Sequence, residues 1–552
     1  MAQTNSPPTS PKSPPQDAYE TTPLLAESAS LDDEEAAPLR RVAGPIPNPI
    51  FFILGMECCE RATYFGLVGP LQNYIQNKRG DAFHRGLGLG QANATRFNLA
   101  FNVLCYISPI AGAVLADQYF GRYRIIKYSS VVYILGLCVL FVTSLPSSQE
   151  LNVGLPGLIV ALIFIGLGTG GMKSTLAAWI ADQYSKEGTT RSTGDEVVRL
   201  KGVGTERVVI DREMSVARAF LFFYAAAQVG SFSNLLTTTL ELRKGFPFAF
   251  FLPLPMFVVG FITIVVKNGT LTKLPPQGSP LYQSIKRLLR NILHKPSTSN
   301  DNDINAQKEM YRALSTCKIF LLFPFYFVCH LQMFTNFISQ GGTLETHGVP
   351  NDLLISINPL TVIIFVPTLD TIIYPLLQKY NVRPGPIARI SLGFLFMSLS
   401  MAYAAALQSA IYNAPPCYSH PRHEDCHDGT TPNRIHIAAQ IPAYVLGGIS
   451  EVFTLSTGME WAAMRAPISM RSLVVAVFVA TFAGGAGLAM LVSPLARDPL
   501  LVNMYAVLST TAGSAGVVFW FLFRGEEEEL GEAEGQGMRV EEREVRGEQV
   551  SD

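Results

Sequence analysis

Long apolar stretches, separated by short polar connections, make up most of this chain. Each stretch has about 20 residues or more, the length of helix that crosses the hydrocarbon core of a bilayer. We predict about twelve spanning helices from this pattern. The predicted spans are residues 49–76, 95–116, 124–145, 155–183, 216–240, 247–267, 318–340, 353–378, 386–411, 435–457, 472–493 and 500–523. The pattern is typical of an all-α protein that crosses a lipid bilayer many times.

The composition agrees with this fold class. Of the 552 residues, 48% are hydrophobic and 15% are charged, whereas roughly a quarter of the residues of a soluble protein are charged. The formal net charge is −1, so we expect no nucleic-acid partner. The sequence has no GxxxxGK[ST] motif for a nucleotide phosphate, and no metal-ligand spacing or nucleophile–base pair stands out. We therefore expect a protein that is not an enzyme and that holds no metal or other cofactor.

A long polar connection divides the predicted spans into six and six. Two six-helix halves around a site at mid-membrane are typical of major-facilitator transporters. We expect an N-terminal bundle at 46–267, a cytoplasmic linker at 268–316 and a C-terminal bundle at 317–523. Residues 1–45 are rich in Pro, Ser and acidic residues without a cleavable signal, and residues 524–552 are rich in Glu. We expect both to be disordered cytoplasmic tails.

The distribution of basic residues predicts the orientation of the spans. With both termini in the cytoplasm, most Lys and Arg residues of the connections lie inside, as the positive-inside rule requires. The outside connections hold fewer: Lys78, Arg79, Arg85, Arg243, Lys244, Arg422 and Arg497. Cys417 and Cys426 lie in an outside connection, where an oxidising surrounding would favour a disulfide.

We expect the protein to lie in the plasma membrane, with vacuolar or endosomal membranes as alternatives. Glu20, Leu24 and Leu25 form an acidic dileucine pattern that a sorting adaptor could bind.

The first predicted helix carries a charged face, formed by Glu57, Glu60, Arg61 and Tyr64 at helical spacing. An ionised side chain in the middle of a bilayer costs about 2.5–3.5 kcal/mol on insertion scales, so this face should line a wet cavity or pair internally. A structural ion pair would explain one glutamate and the arginine, but it explains a second carboxylate poorly. Two carboxylates that share one guanidinium form a coupled site, whose proton affinity changes when the arginine engages another partner. We expect Glu57, Glu60 and Arg61 to couple protons to transport.

Two further charges lie inside apolar spans. Lys173 follows a glycine-rich stretch of the fourth span, and Glu451 is a lone acid in the tenth. Snorkelling to the interface is the alternative for Lys173, but its place near the middle of the span favours a cavity that binds an anionic group. An intramembrane carboxylate such as Glu451 is a functional candidate by default. Arg61 and Lys173 in one half, facing Glu451 in the other, would suit a zwitterion with separated amine and carboxylate.

Other polar residues give weaker indications. Asp117 and Arg122 stand at a cytoplasmic helix junction, which suggests a gating or packing contact, and Asp370 has a comparable place in the second half. Three polar residues on apolar helices could line the cavity or serve only packing, namely Tyr64, Tyr106 and Gln228.

Sequence motifs along nearly all of residues 45–523 resemble those of the proton-dependent oligopeptide transporter (POT) family, within the major facilitator superfamily. The stretch Glu57–Gly66 is similar to the ExxERxxYYG motif of that family. Further stretches resemble other family motifs or those of its fungal branch, and these are Gly112–Arg122, Gly168–Gln183, Phe223–Ser231, Asn336–Asp352 and Ser450–Ser472.

The resemblance implies a role for each matching residue. The Glu57, Glu60 and Arg61 cluster would couple proton and peptide, and Tyr64, Tyr106 and Gln228 would line the peptide site. Lys173 would assist Arg61 with the peptide carboxylate, and Glu451 would receive the peptide amine. The chain departs from the family at Phe65, which replaces a tyrosine, at Gln228, which replaces an asparagine, and around Leu331, where some bacterial members carry an acidic residue.

From these observations we expect an alternating-access symporter that imports di- or tripeptides with protons. A transporter of the same fold for another small solute, such as nitrate or a conjugated metabolite, is the main alternative. A non-transporting nutrient receptor is disfavoured because the central connection and the tails are short and polar.

Overall fold

The computed structural model describes residues 40–43, 46–77, 84–184, 196–202, 204–276, 286, 311–380, 384–421, 426, 431–465 and 471–545. The chain divides into two compact units. The smaller unit takes the described parts of 1–47 and 184–221, and the larger takes those of 48–183 and 222–552.

The smaller unit contains a three-stranded sheet. Its strands are β1 (Arg40–Ala43), β2 (Glu196–Gly202) and β3 (Gly204–Asp211), in the order β1-β3-β2. β1 runs parallel to β3 with Arg40 opposite Val208, and β2 runs antiparallel to β3. Residues 40–43 differ here from the disordered tail that we expected. The β-branched residues of β3 favour a strand, which gives the end of the tail a partner.

The first half of the bundle is mainly helical in its described residues. Its helices are α1 (Asn48–Gln76), α2 (Gly90–Leu115), α3 (Arg122–Ser144), α4 (Pro146–Glu150), α5 (Gly154–Gln183), α6 (Arg212–Ser231), α7 (Ser233–Lys244), α8 (Phe246–Phe251) and α9 (Pro253–Val266). The span predicted at 216–240 is interrupted at Phe232, between α6 and α7. α2 and α5 approach closely because both carry glycine there: a Cβ on Gly112 would lie 2.9 Å from the Gly170 carbonyl oxygen.

The second half repeats this helical architecture. Its helices are α10 (Phe323–His330), α11 (Asn336–Gly341), α12 (Ile357–Thr368), α13 (Tyr374–Lys379), α14 (Pro386–Asn413), α15 (Ile441–Glu451), α16 (Thr457–Met464), α17 (Arg471–Val492) and α18 (Leu501–Val545). Two short strands, β4 (Leu344–Glu345) and β5 (Asn433–His436), pair in parallel. α18 continues beyond residue 523 into the tail that we expected to be disordered, because Glu, Ala, Leu and Arg there favour helix.

Among the described residues, eleven helical segments are long and apolar enough to cross a membrane. α1 is not one of them, although it has 29 residues, because it carries Glu57, Glu60 and Arg61 near its middle. Together with α1, these segments account for the predicted spans. The all-α membrane fold is therefore confirmed.

Within the described residues, three π turns interrupt the spans, and such turns often accompany functional sites. They are Ala116–Phe120 after α2, Leu369–Ile373 after α12 and Val452–Ser456 after α15. The first contains Asp117, the second contains Asp370, and Glu451 directly precedes the third. Asp117, Asp370 and Glu451 therefore each lie at a break in regular helix geometry.

Candidate functional site

The charged cluster of α1 lies inside the bundle. Arg61 Nε is 3.2 Å from Glu57 Oε1, and an Nη atom of the same guanidinium pairs with Glu60. The Arg61 side chain is 13% exposed, that of Glu57 6% and that of Glu60 1%. Glu60 Oε1 is buried and receives no hydrogen bond from any residue that the structure describes. Two carboxylates therefore share one guanidinium, and one of their oxygens has no donor in this conformation.

Lys173 lies between two aromatic rings. Its Nζ is 4.6 Å from the ring centroid of Tyr64 and 4.6 Å from that of Tyr106, which places α1, α2 and α5 around one ammonium group. Such cation–π contacts contribute about 0.5–2 kcal/mol each. Arg61 Cζ is also 5.5 Å from the Tyr64 centroid. Among the described residues Lys173 forms no salt bridge, so the rings hold its charge beside the Arg61 cluster.

A cavity of about 200 Å³ opens between the two halves. Five of the residues predicted to bind substrate line it, and these are Arg61, Tyr64, Tyr106, Gln228 and Glu451. Lys173 is not a lining residue, but the two rings that hold it are. Arg61 lies on the wall from the first half and Glu451 on the wall from the second. The cavity therefore presents a cation on one side and a carboxyl group on the other.

Glu451 is the last residue of α15 and is held by a neighbouring helix. Asn358 Nδ2, on α12, donates a hydrogen bond of 2.8 Å to Glu451 Oε2. Asn358 also lines the cavity, and its Oδ1 accepts no hydrogen bond from the described residues. The amide therefore fixes the direction of the Glu451 carboxylate, while its own Oδ1 is buried beside it.

Asn102, Phe482 and His330 are among the lining residues that were not predicted. Asn102 Oδ1 accepts a hydrogen bond of 3.2 Å from the Tyr64 hydroxyl, and the Phe482 ring stacks on Tyr106 with centroids 4.5 Å apart. His330 is buried among rings, and its Nδ1 has no partner among the described residues. The polar residues of α2 recur every four positions at Asn98, Asn102 and Tyr106, which could have indicated Asn102. Nothing in the sequence singles out Phe482.

The predicted gating residues differ in their surroundings. Arg122 Nε is 3.4 Å from Asp117 Oδ1, its Nη1 donates to the Ala178 carbonyl oxygen at 3.0 Å, and it forms a second, closer ion pair with Asp182. Asp182, at the end of α5, was not predicted. Asp370 is exposed and forms no ion pair with any described residue.

The remaining predicted residues are the two cysteines of an outside connection and the acidic dileucine residues. A disulfide joins Cys417 and Cys426, with Cα atoms 5.7 Å apart. Glu20, Leu24 and Leu25 lie outside the described residues.

Known proteins resemble this chain over most of its length. The model of the POT family matches residues 123–311 and 296–508. A probable peptide transporter ptr2 of Schizosaccharomyces pombe is 40% identical over 510 residues, which cover 90% of this chain and 80% of the relative. The peptide transporter PTR_C of Candidozyma auris is 39% identical, with coverage of 90% of this chain and 87% of the relative.

Solved structures show the same fold. The crystal structure of an auto-inhibited POT family peptide transporter superimposes with a TM-score of 0.67 at 20% identity, covering 87% of this chain and 97% of that one. The fold is thus shared with a POT family transporter. The family and the fungal relatives are peptide transporters and not enzymes. The chain belongs to the POT family, as its motifs predicted.

Proposed function

We propose that this chain is a proton-coupled symporter that imports di- and tripeptides by alternating access. The observation that carries the proposal is the cavity with Arg61 on one wall and Glu451 on the other. A short peptide has a carboxylate and an amine at opposite ends, so it matches this charge separation. The names of the fungal relatives, which are peptide transporters, support the same substrate class.

In this proposal the peptide carboxylate binds Arg61, and Lys173 strengthens the local positive potential. The carboxylate must compete with Glu57 and Glu60, which occupy the guanidinium in this structure. Glu451, oriented by Asn358, receives the peptide amine. Tyr64, Tyr106 and Gln228 line the cavity between these two ends and contact the peptide backbone.

The proton enters the same competition. When Glu57 or Glu60 takes up a proton, it loses its charge and releases part of Arg61 for the peptide. When the proton leaves to the cytoplasm, the ion pairs form again and expel the peptide carboxylate. Proton and peptide therefore raise each other's affinity by the same factor, as linkage requires.

The other elements of the proposal follow from the sequence. Protons are the coupling ion, and no further cofactor takes part. The protein crosses the bilayer many times; we propose the plasma membrane, with both termini cytoplasmic, because basic residues concentrate in the connections on that side. Asp117, Arg122 and Asp370 would act at the cytoplasmic gate, and a sorting adaptor would bind at Glu20, Leu24 and Leu25.

Uptake of a labelled dipeptide into proteoliposomes tests the proposal. With the interior alkaline relative to the exterior, the dipeptide should accumulate above its outside concentration. Without the gradient, or with a protonophore, it should only equilibrate. Accumulation of nitrate or of a conjugated metabolite, with no competition from a panel of dipeptides, would overturn the peptide assignment.

A further inference from the structure

Away from the peptide cavity, two buried acids from opposite halves of the bundle face each other. Glu241 lies in the last turn of α7, and Asp352 immediately precedes the turn Leu353–Ser356 that leads into α12. Glu241 is 8% exposed and Asp352 is fully buried. Their carboxyl groups lie within hydrogen-bonding reach of each other. Both line a second cavity of about 200 Å³.

Within the described residues, no cation balances this pair. Neither acid forms a salt bridge there. Asn73 is a hydrogen-bonding partner of Glu241, but Glu241 Oε2 and both carboxyl oxygens of Asp352 are buried and receive no hydrogen bond from any other described side chain. Four other titratable or charged groups are nearby. His84 lines the cavity and contacts the Leu242 carbonyl oxygen at 3.2 Å, and Tyr444 lies on α15. Arg243 and Lys244 are exposed on the last turn of α7. Two ionised carboxylates in contact repel each other strongly, and a hydrogen bond between them requires a proton.

The surrounding contacts join the two halves at this end of the bundle. Asn73 on α1 and Asn351 exchange two amide hydrogen bonds, of 2.9 and 3.1 Å. Asn234 Nδ2, at the start of α7, donates to the Asp352 carbonyl oxygen at 3.1 Å. These neutral contacts keep the two acids together. Burial accordingly raises the pKa of the Asp352 carboxyl.

We propose that Glu241 and Asp352 share one proton and form a second proton-binding site, a latch that holds the two halves together at this end and whose proton does not cross the membrane. The proposal rests on the alternating access proposed above. Opening this end separates the two acids into water, where each has its ordinary pKa of about 4. The proton is then released to the side from which it came. The latch therefore sets the pH dependence of closure without adding to the number of protons carried per peptide.

Glu241→Gln and Asp352→Asn test the latch, since either amide replaces the shared proton with a permanent donor. The first measurement is exchange of labelled for unlabelled dipeptide at equal pH on both sides. Because closure binds one proton, wild-type exchange should lose an additional factor of about ten per pH unit on the alkaline side, relative to either variant. The number of protons per peptide, from the gradients at which net flux reverses, should be unchanged. Glu345→Gln, an acid whose side chain is 36% exposed, is the matched control and should behave as wild type.

A second measurement does not depend on transport. In infrared spectra of the purified protein in nanodiscs, the wild type should show a protonated carboxyl band that both variants lack and Glu345→Gln retains. Loss of dipeptide exchange in the wild type with this band present would overturn the proposed function and leave the latch standing. Absence of the band, or a pH profile of exchange identical to wild type in both variants, would overturn the latch. So would a lower proton-to-peptide ratio in the variants, or a dependence of wild-type exchange on sodium that the variants lose.

Discussion

Asn358 Nδ2 donates a hydrogen bond of 2.8 Å to Glu451 Oε2 across the wall of the central cavity. The two residues belong to different helices, α12 and α15, and the π turn Val452–Ser456 begins directly after Glu451. The amide leaves the other Glu451 oxygen available to a ligand. Among the described residues, no cation forms a salt bridge with Glu451, so this oriented carboxylate is suited to receive an ammonium group.

Glu451→Gln should weaken dipeptide binding. It replaces a charge-assisted hydrogen bond to the peptide amine, worth about 1.5–3 kcal/mol, with a neutral one. The concentration for half-maximal uptake should therefore rise about tenfold or more, and an N-acetylated dipeptide should no longer be distinguished from a free one. Glu460→Gln is the control, since Glu460 is 45% exposed and pairs with Arg389 at 3.3 Å. Equal half-saturation in wild type and Glu451→Gln would contradict the role.

Glu60→Gln should separate exchange from accumulation. The variant keeps the shape of the side chain but removes one of the two charges that compete for Arg61, and it cannot release a proton. Exchange of labelled for unlabelled dipeptide should persist, because it requires no net proton movement. Accumulation driven by a pH gradient should fall to equilibration in the same proteoliposomes. A Glu60→Gln protein that still concentrates dipeptide would refute the coupling role.

Lys173→Gln should affect recognition of the peptide carboxylate. The charge between the Tyr64 and Tyr106 rings disappears, and with it part of the positive potential at that wall. Half-saturation should rise about tenfold for a free dipeptide, corresponding to about 1.4 kcal/mol, but change little for a dipeptide with an amidated C-terminus. Lys267→Gln is matched, because Lys267 lies 5.5 Å from the Phe52 centroid but is exposed. A similar loss for both peptides would mean that Lys173 only supports the packing of the rings.

The sequence predicted the spans because a helix in lipid must make its backbone hydrogen bonds internally and expose apolar side chains. Each span therefore appears in the sequence as a long apolar run. It also predicted that Glu57, Glu60 and Arg61 share one helical face, since helical spacing is local. Contacts between helices are not local. Asn358 lies 93 residues from Glu451, and a neutral amide on an apolar helix carries no signal as strong as a charge.

Glu241 and Asp352 show the same limit more clearly. Each stands near the end of a predicted span, where a charged residue is ordinarily solvated and calls for no explanation. Only the packing of α7 against the turn Leu353–Ser356 buries both and brings them together. The sequence also did not predict the break between α6 and α7 at Phe232, because no proline or glycine occupies that position.

The two acids that contact Arg122 should contribute unequally to stability. Asp117 is 27% exposed and 3.4 Å from Arg122 Nε, whereas Asp182 is only 9% exposed and forms the closer pair. An exposed ion pair contributes at most about 1 kcal/mol, while removal of one partner from a buried pair costs more because the other charge stays uncompensated. Asp182→Asn should therefore lower the midpoint of thermal unfolding in detergent more than Asp117→Asn. Arg122→Lys should reproduce most of the Asp182→Asn effect, because lysine cannot contact both acids and the Ala178 carbonyl in one plane. Equal midpoints for the two aspartate variants would contradict this prediction and show that the two ion pairs contribute equally to stability.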